Sequence, residues 1–240
     1  ERYRDGKPIE TASTLRDGTA IADVNALHTW LQKQQSQFHR TLATKLLGYA
    51  LGRPETIGDA SLLVQMTTLL ADGEIVARAA GPMEFGARAL GNRSILADPR
   101  NQDVIRVINQ MIKRRDFWMP FAPVVLRADA PRAFVNPKEL HSPYMMNTFD
   151  STDRREEFMA AVHNADLSAR PQLLEPGQNP DYESILSHFA DITGRHVLLN
   201  TSFNLHGYPI VCSAADALEV LCESGLTRLV LGPLLVSKKS

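Results

Sequence analysis

From Glu74 onward, short apolar runs ended by turn residues alternate with helical faces, and that alternation admits few folds. Glu74 to Ala79 reads as a strand, as does Ile95-Leu96-Ala97 before Asp98-Pro99. Val197-Leu198-Leu199, Leu229-Val230-Leu231 and Leu234-Leu235-Val236 read the same way, the last two split by Gly232-Pro233. His141 to Met146 reads as a strand start. Between the strands lie helical patterns. Asn101 begins one, with Val104, Ile105, Ile108, Met111 and Ile112 on a single face. Asn179-Pro180 opens another with Tyr182, Ile185, Leu186, Phe189 and Ile192, stopped by Gly194. Ala215 to Cys222 forms a third, with Cys222 as a small buried residue. Strands alternating with helices give an α/β class with a mixed sheet.

Residues 1–73 have a different texture. Glu1 to Gly18 is polar and turn-rich, a loose hairpin. Asp23 can cap a helix bearing Val24, Leu27, Trp30 and Leu31; Ser36 can cap a second with Phe38, Leu42, Leu46, Tyr49 and Ala50. A third carries Leu62, Leu63, Met66, Leu69 and Leu70 and stops at Asp72-Gly73. Three short amphipathic helices make a small bundle. The expectation is a helical domain over 1–73 and one α/β core over 74–240, sharing few apolar contacts.

The 240 residues carry a net charge of −1, which argues against a generic nucleic-acid binder. The balance is local instead. Arg78 to Arg115 holds eight basic and three acidic residues, a focused field suited to a small anion. Two cysteines make no disulfide framework and lack metal-ligand partners at useful spacing. No apolar run approaches the ~20 residues of a membrane span. A start at Glu1 rather than Met leaves a longer parent protein open.

Met83 to Arg100 concentrates the chemistry. Arg88 and Arg93 stand around Gly86 and Gly91, on the approach to a buried strand. Glycine lets backbone come close to a ligand, and guanidinium forks match phosphate or carboxylate oxygens. A solvated loop with salt bridges would have the same composition. Lys113-Arg114-Arg115 suits a helix C-terminus, yet it abuts the apolar run Phe117 to Leu126. Cations beside a core call for anionic partners.

Four blocks then stand in order: GPMEFGARALGNRSILADPR, IKRRDFWMPFAP, HNADLSARPQ and LLNTSFNLHGYPIV. Together they resemble the C-terminal domain of the O-carbamoyltransferases of the nodulation, tobramycin and cephamycin pathways, from about Leu70 to Val236. The resemblance implies a YrdC-like fold, a twisted mixed sheet flanked by helices, here preceded by a small helical segment. It also implies a nucleotide site of Lys113, Arg115, Ser202 and Asn204. Arg88, Arg93, Lys113 and Arg170 would be the catalytic cations on phosphate and carbamoyl groups. The implied chemistry is carbamoyl-adenylate formation from carbamoyl phosphate and ATP, with Mg²⁺ accompanying ATP and no protein metal ligands. The implied setting is a cytoplasmic biosynthetic enzyme without membrane or nucleic-acid partners, a homodimer being left open. Its expected partner, an ASKHA-type carbamoyl-transfer domain, is not in this sequence.

Three positions depart from that family: Pro82 where Arg is usual, Ala87 where Pro is usual, and Ser168 where Thr is usual. His163 is weighed as a proton shuttle against a structural role. Residues from about Tyr3 to Gly73 resemble an unrelated small helical domain of unknown function from large bacterial haem-related proteins; no Cys-x-x-Cys-His is present, so haem attachment is not expected. Two rival readings remain for the α/β part. One makes threonylcarbamoyl-adenylate from threonine and bicarbonate; the other is a non-catalytic interaction module.

Overall fold

The structure is a computed structural model that describes residues 12–15, 18–33, 57–113, 116 and 121–238. The chain divides into two compact units, Glu1–Leu51 and Gly52–Ser240. In the first, β1 (Ser13–Thr14) pairs antiparallel with β2 (Ala20–Ile21), and α1 (Val24–Lys33) follows. Asp23 caps α1, its carboxylate accepting from the Ala26 amide at 2.7 Å. Val24 and Leu27 on the expected apolar face are exposed. The helix expected from Ser36 to Ala50 falls outside the described residues.

The second unit opens with α2 (Ile57–Ala71). Gly73, at φ +87°, ends it in the left-handed conformation, so that the amides of Gly73 and Glu74 close on the carbonyls of Leu70 and Leu69. Next come β3 (Val76–Ala79), β4 (Arg93–Ala97), α3 (Asp103–Arg106) and β5 (Ala122–Leu126). A small region follows: α4 (Ala130–Ala133), β6 (Phe134–Val135), β7 (Phe149–Ser151), two 3₁₀ turns at Asp153–Glu157 and Met159–Ala161, and β8 (Ser168–Ala169). The chain ends with β9 (Gln172–Leu174), α5 (Pro180–Thr193), β10 (Val197–Ser202), α6 (Ala214–Glu223), β11 (Arg228–Leu231) and β12 (Leu234–Ser237).

Seven strands form one sheet in the order β12-β11-β3-β4-β10-β5-β9. The β11–β3 and β5–β9 pairs are parallel and the others antiparallel, so the sheet is mixed as expected. Both faces are covered, and the period of two shows in the side chains. Ala77, Ile95, Leu199 and Leu229 pack with Val104, Ile108 and Ile112 and with Ala217 and Leu221 of α6. Their neighbours Val76, Leu96, Leu198 and Val230 pack on the opposite side, with Leu62, Leu63, Met66 and Leu70 of α2 and Tyr182, Ile185, Leu186 and Phe189 of α5. A third cluster joins Phe134, Phe149 and Phe158 to Val125 and Leu173.

Several expectations meet a different outcome. Helix α2, which precedes the expected boundary at Gly73, lies in the second unit. It shares its apolar face with the sheet and α5 rather than making few apolar contacts there, because α5 alone would leave that sheet face open. The helix expected from Asn101 is α-helical only over Asp103–Arg106 and continues as a π-helical stretch, Val107–Lys113. Residues His141 to Met146 form turns rather than a strand: Pro143 has no amide to donate, and Met145 sits at φ +58°. Cys222 is exposed, because α6 turns Ala217, Val220 and Leu221 inward and leaves position 222 off that face. Among the described residues no helix is long and apolar enough to cross a membrane.

If α2 is integral to the second unit, truncating its buried side chains should unfold that unit. Met66, fully buried, should cost about 2–5 kcal/mol on Met66→Ala. Val64, 42% exposed on the same helix, should cost no more than about 0.5 kcal/mol on Val64→Ala. Denaturant midpoints of the two variants check this; equal effects would detach α2 from the core.

Candidate functional site

The loop from Ala80 to Asn92 joins β3 to β4, closed at its base by the Ala80 amide on the Asn92 carbonyl at 3.1 Å. The carboxylate of Glu84 folds into it. One oxygen accepts from the amides of Leu90 (2.8 Å), Asn92 (2.7 Å) and Arg93 (3.2 Å). The Asn92 side chain donates to the Pro82 carbonyl at 2.8 Å. Beneath the loop lies Arg78 of β3, 1% exposed. It donates to the Gly91 carbonyl and the Asn92 side-chain oxygen, both at 2.9 Å, and pairs with Asp181 at the start of α5. Burial pushes its guanidinium below the ordinary value, and Asp181 opposes that shift. Gly91 stands at φ +121°, and a Cβ there would come within 2.4 Å of the Tyr182 ring. That close approach is what a glycine permits.

Arg93, the first residue of β4, is half-buried and committed to main-chain oxygens. It donates to the carbonyls of Ala80 (3.1 Å), Gly81 (3.3 Å), Asn92 (2.9 Å) and Cys212 (3.3 Å). Burial lowers its pKa, with Glu84 acting the other way. Its carbonyl accepts from the Phe203 amide at 2.8 Å, which places it beside the polar elbow that follows β10.

At that elbow the structure joins Lys113, Ser202 and Asn204. The Lys113 ammonium donates to the Ser202 carbonyl, to the Ser202 hydroxyl at 3.0 Å and to the Asn204 side-chain oxygen. Lys113 is the last residue of the π-helical stretch and is buried. π-Turns recur at functional positions, and this one delivers a cation to the carboxyl end of a central strand. The Ser202 hydroxyl also donates to Asn204 at 2.7 Å, and the Asn204 amide holds the carbonyls of Leu205 and Tyr208. Arg115, expected at the same site, lies outside the described residues.

Arg88 and Arg170 form a second group. Both are exposed, and they are close enough that the charge of Arg88, after partial burial, helps hold Arg170 below the ordinary guanidinium value. Arg170 lines a cleft of about 360 Å³ with Phe121, Thr148, His163, Asp166 and Ser168. Two buried amides link this region to the elbow. Asn200 donates to the Ala89 carbonyl at 2.9 Å and to Gln172 at 3.3 Å, and Gln172 donates to the Leu90 carbonyl at 3.3 Å. Asn200 lies two residues before Ser202, and Gln172 two residues after Arg170. The Arg88 loop is thus fastened across the ends of β10 and β9.

Sequence reasoning passed over Glu84, Arg78, Asn200 and Gln172. A signal was present for three of them: Arg78 and Gln172 are polar residues flanked by apolar ones at strand positions, and Asn200 directly follows the apolar run Val197 to Leu199, where burial demands partners. Glu84 carried no such signal, since its role depends on how the loop folds back.

The loop geometry makes a sharp expectation. Gly91→Ala should destabilise by about 2 kcal/mol or more, from backbone strain plus overpacking against Tyr182. In Gly91→Ala/Tyr182→Leu the steric part should be relieved, so the pair should be less than additive in a double-mutant cycle of unfolding free energies. Strict additivity would mean that the ring is not what excludes a side chain.

The sequence profile described as "Carbamoyltransferase C-terminus" matches residues 67–238, and one described as a protein of unknown function (DUF1585) matches residues 17–78. The nodulation protein NolO of Bradyrhizobium diazoefficiens is 38% identical over 71% of this chain and 31% of its own length. A 3'-hydroxymethylcephem-O-carbamoyltransferase of Amycolatopsis lactamdurans is 36% identical over 70% of this chain and 31% of its own. The chain spans about a third of the length of the curated relatives that it matches. Among solved structures, P. abyssi Sua5 complexed with L-threonine superposes with a TM-score of 0.50 at 14% identity, covering 75% of this chain and 48% of that one. At that identity the likeness is one of fold, a YrdC-like mixed sheet.

Proposed function

Since the chain belongs to the carbamoyltransferase C-terminus family, we propose that it binds carbamoyl phosphate and ATP and joins them as carbamoyl-adenylate. The observation that carries this reading is Arg170 on the wall of a cleft of about 360 Å³, with Arg88 close enough for its charge to act on it. Two guanidinium groups that repel each other are relieved by an anion held between them. A cleft of that size lies in the range of small-ligand sites. Carbamoyl phosphate is a small dianion of the required kind.

ATP is assigned to the elbow. Lys113 brings an ammonium there, with the Ser202 hydroxyl and the Asn204 amide beside it. Arg115 is assigned to the same phosphates. Arg93 does not present a free fork; its four carbonyl contacts suit it to holding the Arg88 loop against the segment at Cys212. Among the described residues no group of three His, Cys, Asp or Glu is placed to hold a metal. Mg²⁺ is assigned to the nucleotide phosphates, as it commonly is.

The proposed step asks for position and charge neutralisation more than covalent work. Carbamoyl phosphate is cleaved to carbamate, and the carbamate oxygen attacks the α-phosphorus of ATP with loss of pyrophosphate. Transfer of the carbamoyl group to an acceptor hydroxyl is assigned to an ASKHA-type domain outside this sequence.

Titration with ATP and Mg²⁺, followed by a pyrophosphate assay with carbamoyl phosphate, tests the reading. Lys113→Ala should weaken ATP binding by about 10-fold or more, because it removes the cation that the elbow holds at the proposed phosphate site and releases Ser202 and Asn204 from it. Pyrophosphate release should need carbamoyl phosphate and should not occur with threonine and bicarbonate in its place. Release with threonine and bicarbonate alone would assign the rival adenylate. No binding at millimolar ATP would leave an interaction module.

A further inference from the structure

His163 and Asp166 stand on the wall of the cleft that Arg170 lines, and nothing in the proposed function yet uses them. The His163 ring meets the Asp166 carboxylate through Nδ1 at 3.0 Å. The same carboxylate oxygen accepts from the Ser168 amide at 3.0 Å and the Ser168 hydroxyl at 2.8 Å. Those two bonds are the first causes that hold the Asp166 carboxyl below its ordinary value, with His163 adding to them. An ionised carboxylate only accepts hydrogen bonds, so Nδ1 carries the proton. In the neutral ring Nε2 is then unprotonated and basic. The backbone reinforces the arrangement: the His163 amide donates to the Ser168 carbonyl at 2.7 Å, and the His163 carbonyl accepts from Leu167 at 2.8 Å. A six-residue turn, His163 to Ser168, therefore fixes the tautomer and orientation of an imidazole on the wall of a cleft that Arg170 also lines.

We propose that His163 is the general base for cleavage of carbamoyl phosphate in this cleft, with Asp166 as its positioning residue and Arg170 on the phosphoryl oxygens. The inference rests on the proposed function. Water attacks phosphorus as Nε2 takes one of its protons. The new oxygen–phosphorus bond forms while the bond from phosphorus to the carbamoyl oxygen breaks. The electron pair of that bond leaves with carbamate, and phosphate is the other product. His163 later returns its proton to solvent. Asp166 stays ionised throughout and stabilises the imidazolium that forms, and Arg170 offsets the charge that develops on the phosphoryl group. The carbamate so released is the nucleophile that the adenylation step requires.

The test follows phosphate release from carbamoyl phosphate by the full chain in the presence of ATP and Mg²⁺. His163→Ala should release phosphate about 100-fold more slowly or worse, the usual scale of a lost acid–base group, while ATP affinity is unchanged. Added imidazole should restore part of the rate, which it would not do for a histidine that only supports the loop. Asp166→Asn should show a smaller loss. Wild-type rates in His163→Ala, with wild-type turnover intact, overturn the role of His163 and leave the proposed function standing. A loss that imidazole does not restore overturns it as well. Wild-type protein that binds ATP yet releases no phosphate overturns the carbamoyl-phosphate reading and this inference with it. Nitrogen-15 spectra of the wild-type histidines give an independent check should His163→Ala fail to fold. The Nδ1–H tautomer is expected for His163, and the Nε2–H tautomer would refute the proposal.

Discussion

Arg78 places a guanidinium inside the sheet, 1% exposed, and the loop above it depends on how that charge is satisfied. Three partners converge on it from two places in the chain: the Gly91 carbonyl, the Asn92 side chain and the Asp181 carboxylate. A buried cation without partners is severely penalised, so any arrangement of the loop that surrendered these contacts would be costly. The ion pair also ties β3 to the start of α5. Tyr182, next to Asp181, packs on the opposite side against Gly91, which is why that position has room only for hydrogen. Asn179 adds a bond to Asn92 at 3.0 Å and caps α5 through the Tyr182 amide. Loop, strand and helix N-terminus thus settle together.

Given that anchor, the remaining loop contacts follow as ways of satisfying polar groups. Glu84 supplies the acceptor for three amides, while Arg93 supplies the donor for four carbonyls. Asn200 and Gln172 supply buried amides for Ala89 and Leu90. Of the arginines in the loop block, Arg88 is exposed beside Arg170, whereas Arg93 is absorbed into the framework. Residues of one type five positions apart therefore have different surroundings, one built into the framework and the other exposed beside Arg170. Across the sheet end, Lys113 is held by the elbow itself, so its charge is already positioned.

Much of the α/β part was legible before any coordinates. Short apolar runs bounded by turn residues gave β3, β4, β10, β11 and β12, and the helical faces of α2, α5 and α6 follow from their apolar spacing and end signals. Asn179 and Gly194 mark the ends of α5 as their residue types imply. The grouping of Lys113 with Ser202 and Asn204 came through resemblance of motifs, and the three are in direct contact. Other features were not legible because they depend on partners distant in sequence. The π-helical end of the Asn101 helix is one, since its apolar spacing also fits an α-helix. The membership of α2 in the α/β unit is another: its amphipathic face says that it must pack, but not on what.

The sequence by itself determined the class of fold, the places where helices start and stop, and the concentration of positive charge between Arg78 and Arg115. These are local properties, set by side-chain periodicity, turn residues and composition over a few residues at a time. Tertiary structure alone decided which cations are tied down and which stay exposed, because that depends on carbonyls and carboxylates more than a hundred residues away, such as Asp181 for Arg78 and Cys212 for Arg93. It likewise decided that His163 meets Asp166 through Nδ1 on a cleft shared with Arg170. A spacing of three residues permits that contact, but only the fold of the loop selects the ring nitrogen and sets the pair on the cleft that Arg170 lines.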